Sequence, residues 1–123
     1  FMSEEVPAWL RERLARFEEM QRNLQAVQIQ KRQIDLENSE IERALDELKK
    51  TSPEDAIYKF SGQILIKVNK DELVKELEEK LELNKTRISI LAKQEEKLKQ
   101  SLTELQSKIS SALSGQPEAL KES

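Results

Sequence analysis

Cysteine and histidine are both absent from the 123 residues. Without cysteine the chain can form no disulfide and no reactive thiolate, which fits a reducing compartment. Without histidine it lacks the side chain that most often serves as a general base or as a metal ligand. Both absences argue against an enzyme and against a metal site.

Glycine and proline are scarce, with two and three copies. Gly62 and Gly115 cannot build a glycine-rich phosphate loop, so we expect no nucleotide or other cofactor. No apolar run approaches the roughly 20 residues that span a membrane, and no signal peptide opens the chain. We interpret Phe1 and Met2 as an expression remnant, and we expect a cytoplasmic protein without a membrane partner.

The charges are numerous but balanced. Charged residues make up 37% of the chain, hydrophobic residues another 37%, and the formal net charge is −3. Lysines and arginines alternate with glutamates and form no basic patch, so we expect no nucleic-acid partner. This composition is typical of long helices rather than of a compact globule.

Apolar residues recur at alternating steps of four and three along two segments. The first series runs from Val6 to Leu48 and is apolar at ten of thirteen places; the second runs from Val74 to Ala112 and is apolar at ten of twelve. Such a repeat forms the apolar seam of a coiled coil. We therefore predict a long antiparallel two-helix coiled coil, with helices over about 4–50 and about 70–113.

Breaking residues separate these elements. Pro53 ends the first helix within a linker over 51–56, because proline disfavours helical geometry at the preceding residue. Asn69 followed by Glu72 resembles a capping box that starts the second helix. Ser114 and Gly115 end that helix before a polar tail over 114–123. We predict one domain over 3–123.

Five polar residues interrupt the two seams: Arg13, Lys31, Asn38, Asn84 and Glu95. If Leu48 faces Val74, Asn38 lies opposite Asn84, and Lys31 lies one layer from Glu95. A buried polar pair fixes the register of two helices at some cost in stability. The alternative is that each polar residue simply tolerates partial exposure in a thin seam.

The stretch over 57–68 predicts a β-hairpin between the helices. A two-residue turn at Ser61-Gly62 would pair Phe60 with Gln63 and Ile57 with Ile66. Both faces of the ribbon are apolar, and a lone two-stranded ribbon is marginal in water. We therefore predict pairing with hairpins of other subunits through Ile57, Tyr58, Phe60, Ile64, Leu65, Ile66 and Val68.

Several apolar residues cluster near the free helix ends, where the coiled coil frays. Trp9, Leu14 and Leu113 lie off the seam, and Val6 and Leu10 occupy its last layers. An exposed apolar patch of this kind predicts an interaction site. The alternative is that Trp9 folds over the end layers as a lid.

The hairpin and its flanks carry a family resemblance. Tyr58-Lys59, the segment from Ser61 to Leu73 and the later segment from Lys93 to Leu98 resemble the β class of the prefoldin family, in its archaeal form. The resemblance extends from about Val6 to Ala112. Subunits of the α class carry two hairpins, whereas this sequence has one.

The resemblance implies a hexamer of two α-class and four β-class subunits, with hairpins assembled into a β-barrel that carries six coiled-coil arms. It also implies an ATP-independent chaperone that holds unfolded polypeptides and delivers them to a group II chaperonin. Client contacts would then come from Val6, Trp9, Leu10, Leu14, Ile109 and Leu113. The rival hypothesis is a structural or tethering coiled coil that docks one specific partner.

Overall fold

The computed structural model describes residues 6–115 as two long helices joined through one hairpin. The elements are α1 (Ala8–Lys49), β1 (Ile57–Ser61), β2 (Ile64–Val68) and α2 (Lys70–Leu113). The mainly helical class and the single antiparallel hairpin are confirmed. Phe1, Met2, the acidic segment beginning at Ser3 and the tail beyond Gly115 lie outside the described residues.

Helix α1 begins at Ala8 rather than near residue 4. The carbonyl oxygen of Pro7 accepts hydrogen bonds from the N–H groups of Leu10 and Arg11, each at 3.0 Å. The ring of Pro7 disfavours helical geometry at Val6, so the helix cannot extend smoothly toward the N-terminus. Proline therefore stands just before the helix, not inside its opening turns.

The other helix ends follow the predicted breaks. After α1, the hydroxyl of Thr51 donates to the carbonyl of Leu48 at 2.6 Å. Asn69 Oδ1 accepts a hydrogen bond from the Glu72 N–H at 3.0 Å, which satisfies one of the free N–H groups that open α2. Gly115 follows α2 with a φ of 86°, a left-handed conformation that glycine adopts without steric cost.

The predicted pairing of the hairpin is wrong by two residues. Ile57 pairs with Val68, Phe60 with Leu65 and Ser61 with Ile64, so the turn residues are Gly62 and Gln63. Gly62 has a φ of 63°, and tight hairpin turns need a positive φ at their first central position. Because side chains alternate with a period of two, a two-residue shift leaves the predicted composition of both faces unchanged.

The described residues divide into two compact units, one holding the chain up to Gln30 and from Leu91 onward, the other Lys31–Ile90. In each unit a segment of α1 packs against a segment of α2. Buried residues in both units fall at the predicted steps of four and three. The apolar ones are Leu10, Leu105 and Ile109 in the first unit and Ile34, Ile41 and Leu48 in the second.

Asn84 is the most deeply buried side chain of the second unit, with 0% exposure. Its amide nitrogen donates to Asn38 Oδ1 at 2.9 Å, which confirms the predicted layer. The same nitrogen donates to Glu37 Oε1 at 2.6 Å, a contact that the sequence did not indicate. Asn84 Oδ1 has no hydrogen-bond partner among residues 6–115, so the two asparagines do not fully satisfy each other.

The predicted pair between Lys31 and Glu95 joins residues of different units and stays a prediction. Within the first unit, Glu95 Oε2 accepts a hydrogen bond from Gln28 Nε2 at 3.0 Å. The Lys99 ammonium lies 3.5 Å from the same oxygen, one helical turn away. Glu95 is thus a polar seam residue that nearby side chains stabilise.

The turn correction leads to a first prediction. Gly62→Ala should destabilise the protein by about 1–2 kcal/mol, because a left-handed φ costs that much once a Cβ is present. Apart from Gly62 itself and its two chain neighbours, no described residue has an atom within 4 Å of the added Cβ, so the effect would come from backbone strain. Urea unfolding measures it. Gln63→Ala is the matched control and should be close to neutral; equal effects would contradict the assigned turn.

A second prediction concerns the unsatisfied oxygen of Asn84. Asn84→Leu should raise the free energy of unfolding by about 1 kcal/mol or more, because it removes a buried acceptor that has no donor. Asn38 and Glu37 are partly exposed and can bind water instead. Thermal unfolding measures the gain, with Asn38→Leu as the comparison variant. A lower melting temperature for Asn84→Leu would show that the asparagine pair stabilises the helices.

Candidate functional site

Two surfaces of the described chain carry exposed apolar residues that the seam does not use, and the hairpin is the first. Within residues 6–115 the sheet contains only β1 and β2, so each strand has one edge without a neighbour. Phe60 is 76% exposed and is the most exposed large hydrophobic residue of the hairpin. The other exposed large hydrophobic residues of the hairpin are Tyr58, Ile64, Leu65 and Ile66, whereas Ile57 and Val68 are half-buried.

A salt bridge ties one face of the hairpin to α2. The Lys59 ammonium lies 3.1 Å from both carboxylate oxygens of Glu76. Lys59 pairs with Ile66 across the ribbon and therefore shares a face with Ile57 and Val68. The opposite face, with Tyr58, Phe60 and Leu65, forms no salt bridge with the rest of residues 6–115 and is more exposed. Five of the seven predicted assembly residues are therefore exposed and two are half-buried, and their role in assembly stays a prediction.

The second surface lies where α1 begins and α2 ends. Leu10, Leu105 and Ile109 form a buried core there, and Trp9, Phe17 and Met20 pack against it. We call these six residues the terminal cluster. Its members come from both helices, because the antiparallel arrangement brings the first turns of α1 beside the last turns of α2.

The predicted client-binding residues divide into two groups. Leu10 and Ile109 are buried in the terminal cluster, and Trp9 is half-buried against it. The exposed ones are Val6, Leu14 and Leu113, of which Leu113 is the most exposed at 65%. A folded terminal cluster therefore offers only the second group directly, together with the open side of Trp9.

One polar residue of this region interrupts the apolar series of the first helix. Arg13 is 4% exposed, and its guanidinium carbon lies 5.2 Å from the centre of the Trp9 ring. The ring face attracts the cation, and the two residues stand one helical turn apart. The spacing of Trp9 and Arg13 is a sequence signal that could have predicted this pair.

The described residues hold no group of three or more acidic, cysteine or histidine side chains placed to bind a metal ion. No helix among them is long and apolar enough to cross a membrane. What the two surfaces offer is exposed apolar area and unpaired strand edges. Such surfaces bind other protein chains rather than small molecules.

The family model described as "Prefoldin subunit" matches residues 11–116. The chain belongs to the prefoldin family. It is 39% identical to the prefoldin subunit beta of Archaeoglobus fulgidus over 91% of this chain and 97% of that one. It is 35% identical to the prefoldin subunit beta of Methanococcoides burtonii over 94% of this chain and 98% of that one.

Solved structures agree with the sequence comparisons. The crystal structure of the prefoldin beta subunit from Thermococcus strain KS-1 matches with a TM-score of 0.77 at 37% identity, over 90% of this chain and 97% of that one. Two long helices around a single hairpin are therefore the fold of a prefoldin β subunit. The chain has the function of a prefoldin chaperone subunit, and proteins of this family form oligomers with other prefoldin subunits.

A third prediction follows because some residues at the helix termini are buried and others are exposed. Leu105→Ala should lower the free energy of unfolding by about 2–5 kcal/mol, because it opens a cavity in the buried core. Leu113→Ala should change it by less than about 0.5 kcal/mol, since that side chain is mostly in water. Urea unfolding of both variants provides the comparison. Similar losses would show that Leu113 belongs to the core.

Proposed function

We propose that this prefoldin subunit holds non-native polypeptides without ATP and passes them to a group II chaperonin. The observation that carries this proposal is the exposure of Leu14 and Leu113 beside a terminal cluster that is already closed. These side chains add nothing to the core, so their exposure is best explained by contact with another chain. The family is a non-enzymatic one, and we propose no catalytic role for any residue.

The hairpin supports a second part of the proposal. We propose that the hairpins of two α-class and four β-class subunits form a closed β-barrel, which removes the unpaired strand edges. The exposed face with Tyr58, Phe60 and Leu65 would be covered in such a barrel. The Lys59–Glu76 salt bridge would keep each hairpin oriented on its own α2 during assembly.

Weak contacts are sufficient for this mechanism. An arm that buries about 150 Å² of client apolar surface gains about 4 kcal/mol before ordering costs, which corresponds to an affinity no better than millimolar. Several arms on one platform raise the effective concentration of every further contact. Each contact can then be released in turn to a competing chaperonin, so no nucleotide is required.

A tethering coiled coil that docks one specific partner is the alternative function. It would use the same exposed residues, but it would bind one folded partner rather than many unfolded chains. The two functions therefore differ in client range, not in the surface that they require.

The fourth prediction tests client capture without disturbing the core. A double variant, Leu14→Ser with Leu113→Ser, should keep the assembled mass but lose several-fold of its suppression of aggregation, measured by light scattering on chemically unfolded clients without ATP. Leu36→Ser is the matched control, because Leu36 is also an exposed apolar helix residue. Full protection by the double variant would reject the assignment, and protection of a single client only would favour the tether.

The fifth prediction tests assembly. Ile64→Asp with Ile66→Asp should leave both helices folded by circular dichroism but prevent association, because paired hairpins would bury unpaired carboxylates. Multi-angle light scattering of the chain mixed with an α-class subunit measures the mass. Ile29→Asp, on an exposed helix position, is the control. An unchanged mass for the hairpin variant would count against the barrel.

A further inference from the structure

The first unit contains a cavity of about 380 Å³ next to the terminal cluster. Three cationic side chains line it, Arg13, Arg16 and Lys108, against a single carboxylate, Glu104. Met20 and Leu105 supply an apolar wall. The cavity thus combines excess positive charge with a hydrophobic surface, although the whole chain carries a net charge of −3.

Arg13 is the side chain that distinguishes this cavity from an ordinary charged groove. It is 4% exposed, and its Nη1 atom is buried without a hydrogen-bond partner among residues 6–115. Its guanidinium carbon lies 5.2 Å from the centre of the Trp9 ring. Burying a guanidinium donor without an acceptor is costly, and native proteins normally supply a partner. The described chain supplies none.

We propose that this cavity binds a carboxylate of a polypeptide, with Arg13 and Arg16 as the donors. A guanidinium presents a planar fork of N–H groups that matches a carboxylate. Lys108 already has a partner within the chain, so it contributes mainly long-range attraction. Because this inference names the chemistry of a client contact, it rests on the proposed function.

The surroundings favour a peptide carboxylate over a nucleic-acid phosphate. Nucleic-acid binding needs a basic surface that follows several phosphates, and the helices here alternate positive and negative residues. One cavity with one carboxylate among three cations suits a single monoanion. The adjoining Met20 and Leu105 would contact apolar side chains beside that anion. The expected ligand is therefore an acidic residue or a chain terminus flanked by apolar residues.

Matched peptides test the proposal on the full chain in its assembled form. Two short peptides, acetylated and amidated, carry the same apolar residues around one central Glu or Gln. The Glu peptide should bind about three- to tenfold more tightly by fluorescence anisotropy, a gain typical of a partly exposed to partly buried ion pair. Arg16→Gln should remove most of this preference, and so should Arg13→Gln. Arg22→Gln, an exposed arginine outside the cavity, should leave it intact.

Two further experiments identify the source of the carboxylate. If a Gln peptide with a free α-carboxylate binds as tightly as the Glu peptide, chain termini are ligands as well. The residues beyond Gly115 include Glu118 and Glu122. If deletion of residues 116–123 increases the preference for the Glu peptide over the Gln peptide, the result would support the site. It would also identify the tail as a ligand from the same chain that competes with the peptide.

Failure of this inference differs from failure of the chaperone function. Equal binding of the Glu and Gln peptides, with aggregation still suppressed, would overturn the carboxylate site and leave client capture intact. A preference that persists in both Arg13→Gln and Arg16→Gln would also overturn it. If the unmodified protein neither binds the peptides nor suppresses aggregation, both proposals are overturned. Arg16 is exposed, so its variant reports on binding without a change in the core.

Discussion

A pair of helices can bury only one stripe of each partner, and the other features of this protein depend on that limit. The apolar residues at steps of four and three pack between the helices inside each unit. Leu10 and Leu105 are buried in the first unit, and Ile34 and Ile41 are buried in the second. Among residues 6–115, no other apolar surface covers the exposed residues of the hairpin or the exposed off-seam residues at the helix termini. Exposed apolar area is therefore expected in this fold, and our proposal is that it binds other chains.

Two polar residues of the seam are buried where the helices pack against each other. Asn84 and Arg13 occupy positions that a purely stabilising sequence would fill with leucine, and each has a buried polar atom without a hydrogen-bond partner among residues 6–115. Asn84 donates hydrogen bonds to Asn38 and Glu37, and these contacts support the prediction that its burial fixes one alignment of the helices. The guanidinium of Arg13 lies over the ring of Trp9, and its Nη1 is the unpaired donor on which the proposed carboxylate site rests.

Much of the fold could be predicted because it depends on periodicity and on breaking residues. The two series of apolar residues located the helix faces, and Asn69 and Gly115 marked helix ends by local hydrogen bonding and backbone geometry. The start of α1 was misplaced because the effect of Pro7 on Val6 competes with the acidic residues before it. The predicted hairpin register was shifted because side chains alternate with a period of two, so the apolar pattern did not distinguish registers two residues apart.

The sequence by itself determined two helices, one hairpin, the residues of each seam and the layer in which two asparagines meet. These features follow from repeats and from contacts between neighbours along the chain. Only the tertiary structure decided which terminal residues are buried, that Glu37 joins the Asn84 layer, and that Arg13 lines a cationic cavity. Those outcomes depend on how side chains from α1 and α2 fill the space between them, and no periodicity along either helix specifies that.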